Sequence, residues 1–230
     1  PFVSKIMKKK ILTGLGLEHC RLAASGSAPL SEDIIAWYRD LGLEMLEGYG
    51  MSENFAYSHI TLPGRSRVGY VGGPLPGVEQ RISEIGEIEV KSPATMMGYY
   101  KDEQKTKESF TEDGFLLTGD KGEIDEEGRL KITGRIKEIF KTSKGKYVAP
   151  APIENRIVSH NAVEMVCVAG AECPQPHALI QLSEEAMPKR NDPEFRKSLE
   201  ESLSAVITEV NNSVDPHEAL QFMVVVKDVW

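Results

Sequence analysis

The chain has 230 residues, of which 40% are hydrophobic and 27% charged, and its formal net charge at pH 7 is −8. This acidic balance argues against a general nucleic-acid-binding protein, because phosphate contacts need Lys and Arg spread over one face. The length suffices for one large domain or two modest ones, and no apolar stretch approaches the ~20 residues that span a bilayer. No signal peptide is visible, and we therefore expect a cytoplasmic protein.

The first fifty residues follow the alternating helix and strand order of an α/β domain. Residues 4–15 have the pattern of a basic amphipathic helix, and 21–30 predict a short strand that runs into a loop of small residues. A second helix is predicted to begin at Ser31 and to end at Gly42, because these residues suit a helix start and a helix stop. The stretch 43–50 is typical of a strand that ends in glycines.

From Gly69 onward the predicted elements become shorter. Strands separated by Gly and Pro indicate a β subdomain. The stretch 102–110 predicts a short polar helix, and 115–135 predicts two strands joined by a turn in which Gly128 takes a positive φ.

The remainder of the chain predicts a small α+β domain with the order strand, turn, helix, strand, strand, helix, strand. Pro152 suits the first position of its first helix, and Asp192 suits the cap of its long second helix. We therefore expect a large-domain portion over 1–134, a hinge at 135–137 and a small domain over 138–230.

The stretch GYGMSEN contains the first candidate site. Its two glycines let the backbone approach a ligand closely, and Tyr49 between them offers a flat face for a base. Ser52 supplies a hydroxyl and Glu53 a carboxylate, a pair that suits a phosphate with its Mg²⁺. An ordinary strand and turn with a capping Ser explains the same residues.

Two further stretches are weaker candidates. SGSAPL (25–30) follows a strand, at the edge where α/β sheets bind ligands, but a tight turn into a helix explains it equally well. FLLTGD (115–120) ends a predicted strand with Asp120, whose carboxylate can accept hydrogen bonds from the paired hydroxyls of a ribose. The alternative for Asp120 is an aspartate that stabilises a turn.

The stretch GRIKEIFKTSKGK (134–146) is basic within an acidic protein. Arg135 can donate a fork of hydrogen bonds. Lys137, Lys141 and Lys144 have the spacing of a solvated helix face, but the β-branched and aromatic residues between them favour a strand that runs into a Gly-containing loop. Such a segment at a domain edge is suited to an anionic ligand.

These pieces occur together, and in this order, in the adenylate-forming acyl-CoA synthetases, whose long-chain fatty-acid type the chain resembles over nearly its whole length. The stretches that carry the resemblance are ASGSAPL (24–30), LEGYGMSEN (46–54), GEIEVKSPATMMGYYKD (86–102), DGFLLTGD (113–120) and GRIKEIFKTSKGKYVAPAPIEN (134–155). The fold that this implies is α/β, with the C-terminal part of the large adenylate-forming domain, itself α/β plus a β subdomain, followed by a small α+β domain.

The resemblance also implies a role for each candidate residue at the nucleotide. The implied contacts are Gly26, Ser27 and Ala28 as the wall of the adenine pocket, Tyr49 stacked on adenine, Ser52 at the α-phosphate, Glu53 as the Mg²⁺ ligand, and Asp120 helped by Arg135 at the ribose hydroxyls. Gly48, which precedes Tyr49 on the same predicted strand, is a further implied nucleotide-binding residue.

The other implied roles concern the acyl chain, the hinge and CoA. The acyl tunnel would run past Gly50 and Met51. Lys137 occupies the hinge position about which the small domain turns. Lys144 and Gly145 lie in the turn that resembles the loop lining the CoA site.

The implied reaction uses ATP, Mg²⁺ and CoA, with a fatty acid as substrate. The carboxylate and ATP give acyl-AMP and pyrophosphate, and CoA then gives the thioester and AMP. The implied partners are therefore small molecules and not nucleic acid, with peripheral membrane contact and a homodimer as further expectations.

Two parts of the family pattern are missing between Pro1 and Trp230, namely the phosphate loop and the segment with the catalytic lysine. We therefore expect a C-terminal fragment of a synthetase that is inactive by itself. The alternatives are a related AMP-forming ligase for aryl acids, short acids or a carrier protein, and a non-catalytic module whose KIMKKKIL segment binds a membrane or a partner.

Overall fold

The computed structural model describes residues 2–28 and 30–227. The chain divides into two compact units between Ile132 and Thr133. The division lies inside a strand and two residues before the end of the predicted large-domain portion at residue 134. The architecture is mixed α/β, which confirms the predicted fold class.

Among the described residues, the first unit contains three α-helices and eight strands, of which the last crosses the division. The helices are α1 (Phe2–Gly14), α2 (Glu32–Leu41) and α3 (Glu103–Glu108). The strands are β1 (Ala23–Ser25), β2 (Met45–Tyr49), β3 (His59–Ile60), β4 (Gly73–Pro74), β5 (Glu79–Ile82), β6 (Glu87–Lys91), β7 (Leu116–Ile124) and β8 (Leu130–Arg135).

These strands form two sheets, with the orders β1-β2-β3-β4 and β5-β6-β7-β8. The pair β1 and β2 is parallel, with Ser25 opposite Glu47, and α2 is the crossover between them. Since parallel strands end at the same edge of a sheet, the loop after β1 lies beside the end of β2.

Helix α2 ends at Gly42, the residue that the sequence indicates. Gly42 takes the left-handed conformation with φ 96°, and its N–H donates to the carbonyl of Arg39. A residue without Cβ adopts this conformation at no steric cost, so the helix ends where it was predicted to end. Ser31 stands at the predicted cap position, although its side chain makes no capping hydrogen bond.

The second sheet packs on a small core. Its fully buried members are Ile88, Val90, Leu116 and Leu130. Because alternate residues of a strand face one side, β6 contributes both Ile88 and Val90 to this core. β7 contributes Leu116, which is paired with Val90. Met51, in the turn after β2, packs against the same cluster and so joins the first sheet to the second.

As far as residue 227, the second unit contains two α-helices and five strands. These are β9 (Phe140–Lys141), β10 (Tyr147–Val148), α4 (Pro150–Ile157), β11 (Val163–Ala169), β12 (His177–Leu182), α5 (Pro193–Ser213) and β13 (Met223–Val225). A three-stranded sheet of order β11-β12-β13 shares a core with both helices, and β9 and β10 form a separate antiparallel pair. This is the predicted element order with one addition, the two-residue strand β10 between the turn and α4.

The two helix starts of this unit were predicted with different success. Asp192 caps α5, because its carboxylate accepts a hydrogen bond from the Phe195 N–H at 2.8 Å, and this prediction is confirmed. The prediction of Pro152 as the first residue of α4 is wrong, since the helix begins at Pro150. The first-turn N–H groups of a helix have no partner within it, so prolines are tolerated at several of these positions and do not fix the start.

Among the described residues, no helix combines the length and the apolar composition that crossing a bilayer requires.

Candidate nucleotide site

The loop after β1 lies against the end of β2. A Cβ atom on Gly26 would stand 3.1 Å from the carbonyl oxygen of Gly48, which is closer than side chains normally come. Ser27 takes a positive φ of 69°, and the three loop residues Gly26, Ser27 and Ala28 are exposed. Gly26 therefore has a structural reason, and the exposed edge of the loop next to β2 is available to a ligand.

The turn after β2 is tightly closed. A Cβ on Gly50 would stand 2.5 Å from the Cα of Ala56, so only glycine fits there. The Met51 N–H donates to Oδ1 of Asn54 at 3.0 Å, and the Ala56 N–H donates to the Met51 carbonyl. The structure thus gives Gly50 and Met51 packing functions, and their contact with an acyl chain remains a prediction.

Tyr49 and Asp120 lie together although they are 71 positions apart in the chain. The Tyr49 hydroxyl donates to Oδ2 of Asp120 at 2.6 Å. Asp120 is only 5% exposed, and a carboxylate so far from water needs hydrogen-bond donors. The flat ring that was predicted to carry a base and the carboxylate that was predicted to bind a ribose are therefore neighbours.

An irregularity in the strand pairing of the second sheet determines the orientation of Asp120. The pairing of β6 with β7 shifts just beyond Glu87, where Gly119 has φ 74° and donates its N–H to the Glu87 carboxylate at 2.8 Å. The Thr118 hydroxyl donates to the Ile88 carbonyl at 2.7 Å. Bulges re-aim side chains in this way. Asp120 therefore lies inside β7 and not at the end of a strand, which corrects the prediction from FLLTGD.

A buried histidine lies beside Tyr49. His59 is paired with Tyr49 across β2 and β3, and the ring centroids are 5.9 Å apart. Its Nε2 donates to Oε1 of Gln80 at 2.7 Å, and its Nδ1 lies 2.8 Å from the Ser58 hydroxyl. Burial lowers the pKa of His59, so the ring is a neutral, fixed support for the tyrosine.

Glu53 is held by a residue that the sequence interpretation missed. The Tyr99 hydroxyl donates to Oε1 of Glu53 at 2.8 Å, and the Met96 N–H donates to the Glu53 carbonyl at 2.7 Å. The hydrogen bond to Glu53 raises the pKa of Tyr99, so the phenol stays a donor. The available signal was the conspicuous GYYKD segment, which was used only as part of the family resemblance.

The residues present fit a magnesium–nucleotide complex. Mg²⁺ in such sites is held by one or two carboxylates together with substrate phosphates. Glu53 provides a half-buried carboxylate, and within residues 5–28 and 30–227 its side chain is hydrogen-bonded only to Tyr99. Ser52, exposed at the start of the short 3₁₀ turn Ser52–Asn54 that also contains Glu53, provides a hydroxyl beside it.

Glu47 is a second unusual carboxyl of this region. It lies on β2, two residues before Tyr49. Burial, with the nearby Glu32 as a smaller cause, raises the pKa of Glu47 to about 7. The strand that carries the candidate site therefore contains a group that titrates near neutrality.

The remaining predicted site residues belong to the second unit. Arg135 is the last residue of β8, and Lys137 is exposed in the turn that follows, where the Glu138 N–H donates to the Arg135 carbonyl. Lys144 and Gly145 form the exposed turn between β9 and β10, in which Gly145 has φ 78°. This confirms the predicted tight turn, while the roles of these residues remain predictions.

The fold and the side chains around Tyr49 define a class of protein: an α/β protein with a candidate nucleotide site of aromatic, hydroxyl and carboxylate groups. Residues 2–100 match the family described as AMP-binding enzyme, and residues 137–229 match the AMP-binding enzyme C-terminal domain. The chain belongs to the AMP-binding enzyme family.

Three matched proteins show the degree of similarity. The chain is 41% identical over 182 residues to the long-chain-fatty-acid–CoA ligase FadD15 of Mycobacterium bovis, a match that covers 79% of this chain and 30% of that protein. It is 40% identical over 173 residues to long-chain-fatty-acid–CoA ligase 6 of Rattus norvegicus, covering 70% and 25%. The crystal structure of ATP-bound MatB from Rhodopseudomonas palustris aligns with a TM-score of 0.71 and 32% identity, covering 92% of this chain and 42% of that one.

The chain thus spans about a third or less of the length of these curated relatives. The structural alignment reaches across nine-tenths of the chain, so both units have the fold of adenylate-forming enzymes. The ligase activity in the names of these relatives belongs to the whole proteins.

Proposed function

We propose that this chain forms the adenylate-binding part of an AMP-forming long-chain fatty-acid–CoA ligase. The observation that carries the proposal is the Tyr49–Asp120 hydrogen bond of 2.6 Å at the end of β2. It joins the ring that we propose stacks on adenine to the carboxylate that we propose binds the ribose. The relatives named as long-chain fatty-acid ligases support this reading over ligases for aryl or short acids and over a non-catalytic module.

In the first reaction the fatty carboxylate attacks the α-phosphorus of ATP, the bond to the β-phosphate oxygen breaks, and pyrophosphate leaves. Tyr49 would support adenine and Asp120 would accept from the ribose hydroxyls, while Ser52 would donate to the α-phosphate. Mg²⁺, held by Glu53, would neutralise charge on the phosphates. This chemistry depends on positioning and electrostatics more than on a base, which is what these residues supply.

In the second reaction the CoA thiolate attacks the acyl carbonyl carbon, the bond to AMP breaks, and AMP leaves. The residues that we assign to this reaction are Lys137 as the hinge and the turn of Lys144 and Gly145 as a contact for CoA. An exposed turn with a cationic tip suits an anionic cofactor.

The test is pyrophosphate release by the full-length gene product with acids of different chain length. We expect release that depends on ATP, Mg²⁺ and a long-chain fatty acid, followed by thioester formation when CoA is added. Release with an aryl acid, a short acid or a carrier protein, and none with fatty acids, would replace the proposed substrate by that alternative. No nucleotide-dependent reaction or binding at all would end the ligase proposal.

A further inference from the structure

Tyr99 is fixed by its neighbours on several sides. Its N–H donates to the Thr106 hydroxyl at 2.8 Å, and that hydroxyl donates in turn to the Asp102 carbonyl at 2.8 Å. The ammonium group of Lys105 lies 4.2 Å from the centre of its ring. A cation over an aromatic face is attractive, so the ring has a defined position before any ligand binds.

Gly98 adds to this definition. A Cβ at this position, which has φ 149°, would stand 2.7 Å from the Thr106 side chain. The loop therefore approaches α3 so closely that only glycine fits before Tyr99. Such a close fit leaves the loop little freedom to carry the phenol elsewhere.

The same loop is attached to Glu53 at two points. One is the Met96 N–H, which donates to the Glu53 carbonyl at 2.7 Å, and the other is the Tyr99 hydroxyl on Oε1 at 2.8 Å. A carboxylate with one oxygen held in this way loses rotational freedom, and its second oxygen can still accept or coordinate. Partners of this kind orient metal ligands and tune their affinity.

We propose that Tyr99 is a positioning residue, which orients the Glu53 carboxylate for the Mg²⁺ that accompanies ATP. This inference rests on the proposed function, because it needs Glu53 to face a magnesium–nucleotide complex. If the Tyr99–Glu53 hydrogen bond had only a structural role, its loss would change stability and leave the Mg²⁺ dependence of ATP binding unchanged. A positioning role changes the dependence on Mg²⁺ and leaves stability nearly unchanged.

The experiment uses the full-length gene product and the variant Tyr99→Phe, which removes one hydroxyl and keeps the ring. ATP binding is measured by calorimetry over a series of Mg²⁺ concentrations, without turnover. We expect the Mg²⁺ concentration for half-maximal ATP binding to rise about tenfold, as for losses of other metal-orienting partners. ATP affinity at saturating Mg²⁺ and the melting temperature should stay close to those of the unmodified protein.

The neighbouring residue gives a matched control. Tyr100 is 87% exposed and its ring meets only Lys101 among the described aromatic and cationic pairs, so Tyr100→Phe should change nothing. In a Glu53→Gln background, Tyr99→Phe should add no further shift, because the two residues act through one carboxylate.

The outcomes separate this inference from the proposed function. If the unmodified protein binds ATP with Mg²⁺ and Tyr99→Phe needs no more Mg²⁺ than Tyr100→Phe, Tyr99 is not a positioning residue and the ligase proposal stands. A lower melting temperature with unchanged Mg²⁺ dependence overturns the inference as well. If the unmodified protein binds no ATP at any Mg²⁺ concentration, the proposed function itself is wrong.

Discussion

In the first unit the candidate residues are hydrogen-bonded, Tyr49 to Asp120 and Glu53 to Tyr99, whereas Lys137 in the second unit is an exposed lysine with no hydrogen bond or ion pair to another described residue. A site assembled in advance spends little free energy on ordering when its ligand binds. The first arrangement therefore suits a ligand that stays in one place throughout a reaction.

The second arrangement suits a different task. Lys144 is also exposed, at the tip of the β9–β10 turn, and among the described residues it too has no hydrogen bond or ion pair. Side chains that are not committed to internal partners can meet one anion in one reaction and another anion in the next. The contrast thus predicts that substitutions in the first unit affect nucleotide binding throughout, while those in the second affect one half-reaction more than the other.

The most severe test of the contrast is Asp120→Ala in the full-length gene product. It removes the acceptor of the Tyr49 hydroxyl and the proposed acceptor of the ribose, and each charge-assisted hydrogen bond contributes about 1.5–3 kcal/mol. We expect kcat/KM for ATP in adenylate formation to fall at least ~100-fold, from two such bonds. Pyrophosphate exchange measures this step.

Asp113 provides the control for this test. It is a surface aspartate of the same unit, paired with Arg81, and Asp113→Ala should leave adenylate formation nearly unchanged because exposed ion pairs contribute little. Normal adenylation by Asp120→Ala would remove the ribose assignment and with it the interpretation of the first unit as a preassembled site.

A smaller effect is expected from Lys137→Pro, which tests the second unit. Proline fixes φ near −65° and restricts the preceding residue, so it would hinder a rotation at this turn. The described hydrogen bonds of the turn come from the N–H groups of Glu138 and Ile139, so proline at 137 removes neither. We expect one half-reaction to slow about tenfold more than the other, which corresponds to about 1.4 kcal/mol of barrier.

The two half-reactions are measured separately, by pyrophosphate exchange and by thioester formation from preformed acyl-AMP. Lys137→Ala is the matched variant, because it removes the same charge and keeps the backbone free. Equal slowing of both half-reactions by the proline, or the same result with alanine, would contradict the hinge assignment.

Local chemistry explains which parts of the molecule could be predicted. The end of α2 at Gly42 and the start of α5 at Asp192 depend on single residues and their immediate neighbours, and both were predicted correctly. The two-residue strand β3 was missed, since so short a segment has no period to detect. Pro152 failed as a start signal because more than one position of a first turn accepts proline.

The candidate site depends on contacts that are distant in sequence. Tyr49, Glu53 and Asp120 were chosen by chemical type and family resemblance, but nothing local indicates that the Asp120 side chain leaves the regular course of β7 through an irregular pairing with β6. Tyr99 was overlooked for the same reason, because its partner Glu53 lies 46 positions earlier. Sequence identified chemical groups, and the sheet register determined which groups meet.

The smallest expected effect concerns the stability of the first unit and its dependence on the protonation of Glu47. Glu47 has a pKa raised from 4.5 to about 7, mainly by burial, with Glu32 as the charged group that adds to it. A raised pKa means that its contribution to stability is fully present below pH 4.5 and is lost as the pH rises through about 7. Above pH 7 the ionised carboxylate therefore destabilises the strand that carries Tyr49.

Glu47→Gln should accordingly raise the free energy of unfolding at pH 8 by about 1 kcal/mol, allowing for partial screening by water, and change it little at pH 4.5. Urea unfolding of the 230-residue chain at the two pH values measures this difference. Glu44→Gln is an opposite-sign control, because the Ser66 hydroxyl lowers the pKa of Glu44, and its carboxylate stabilises the fold at the higher pH. If both variants shift the free energy of unfolding in the same direction at pH 8, burial does not determine the pKa of Glu47. The first unit would then be less rigidly assembled around β2 than its hydrogen bonds indicate.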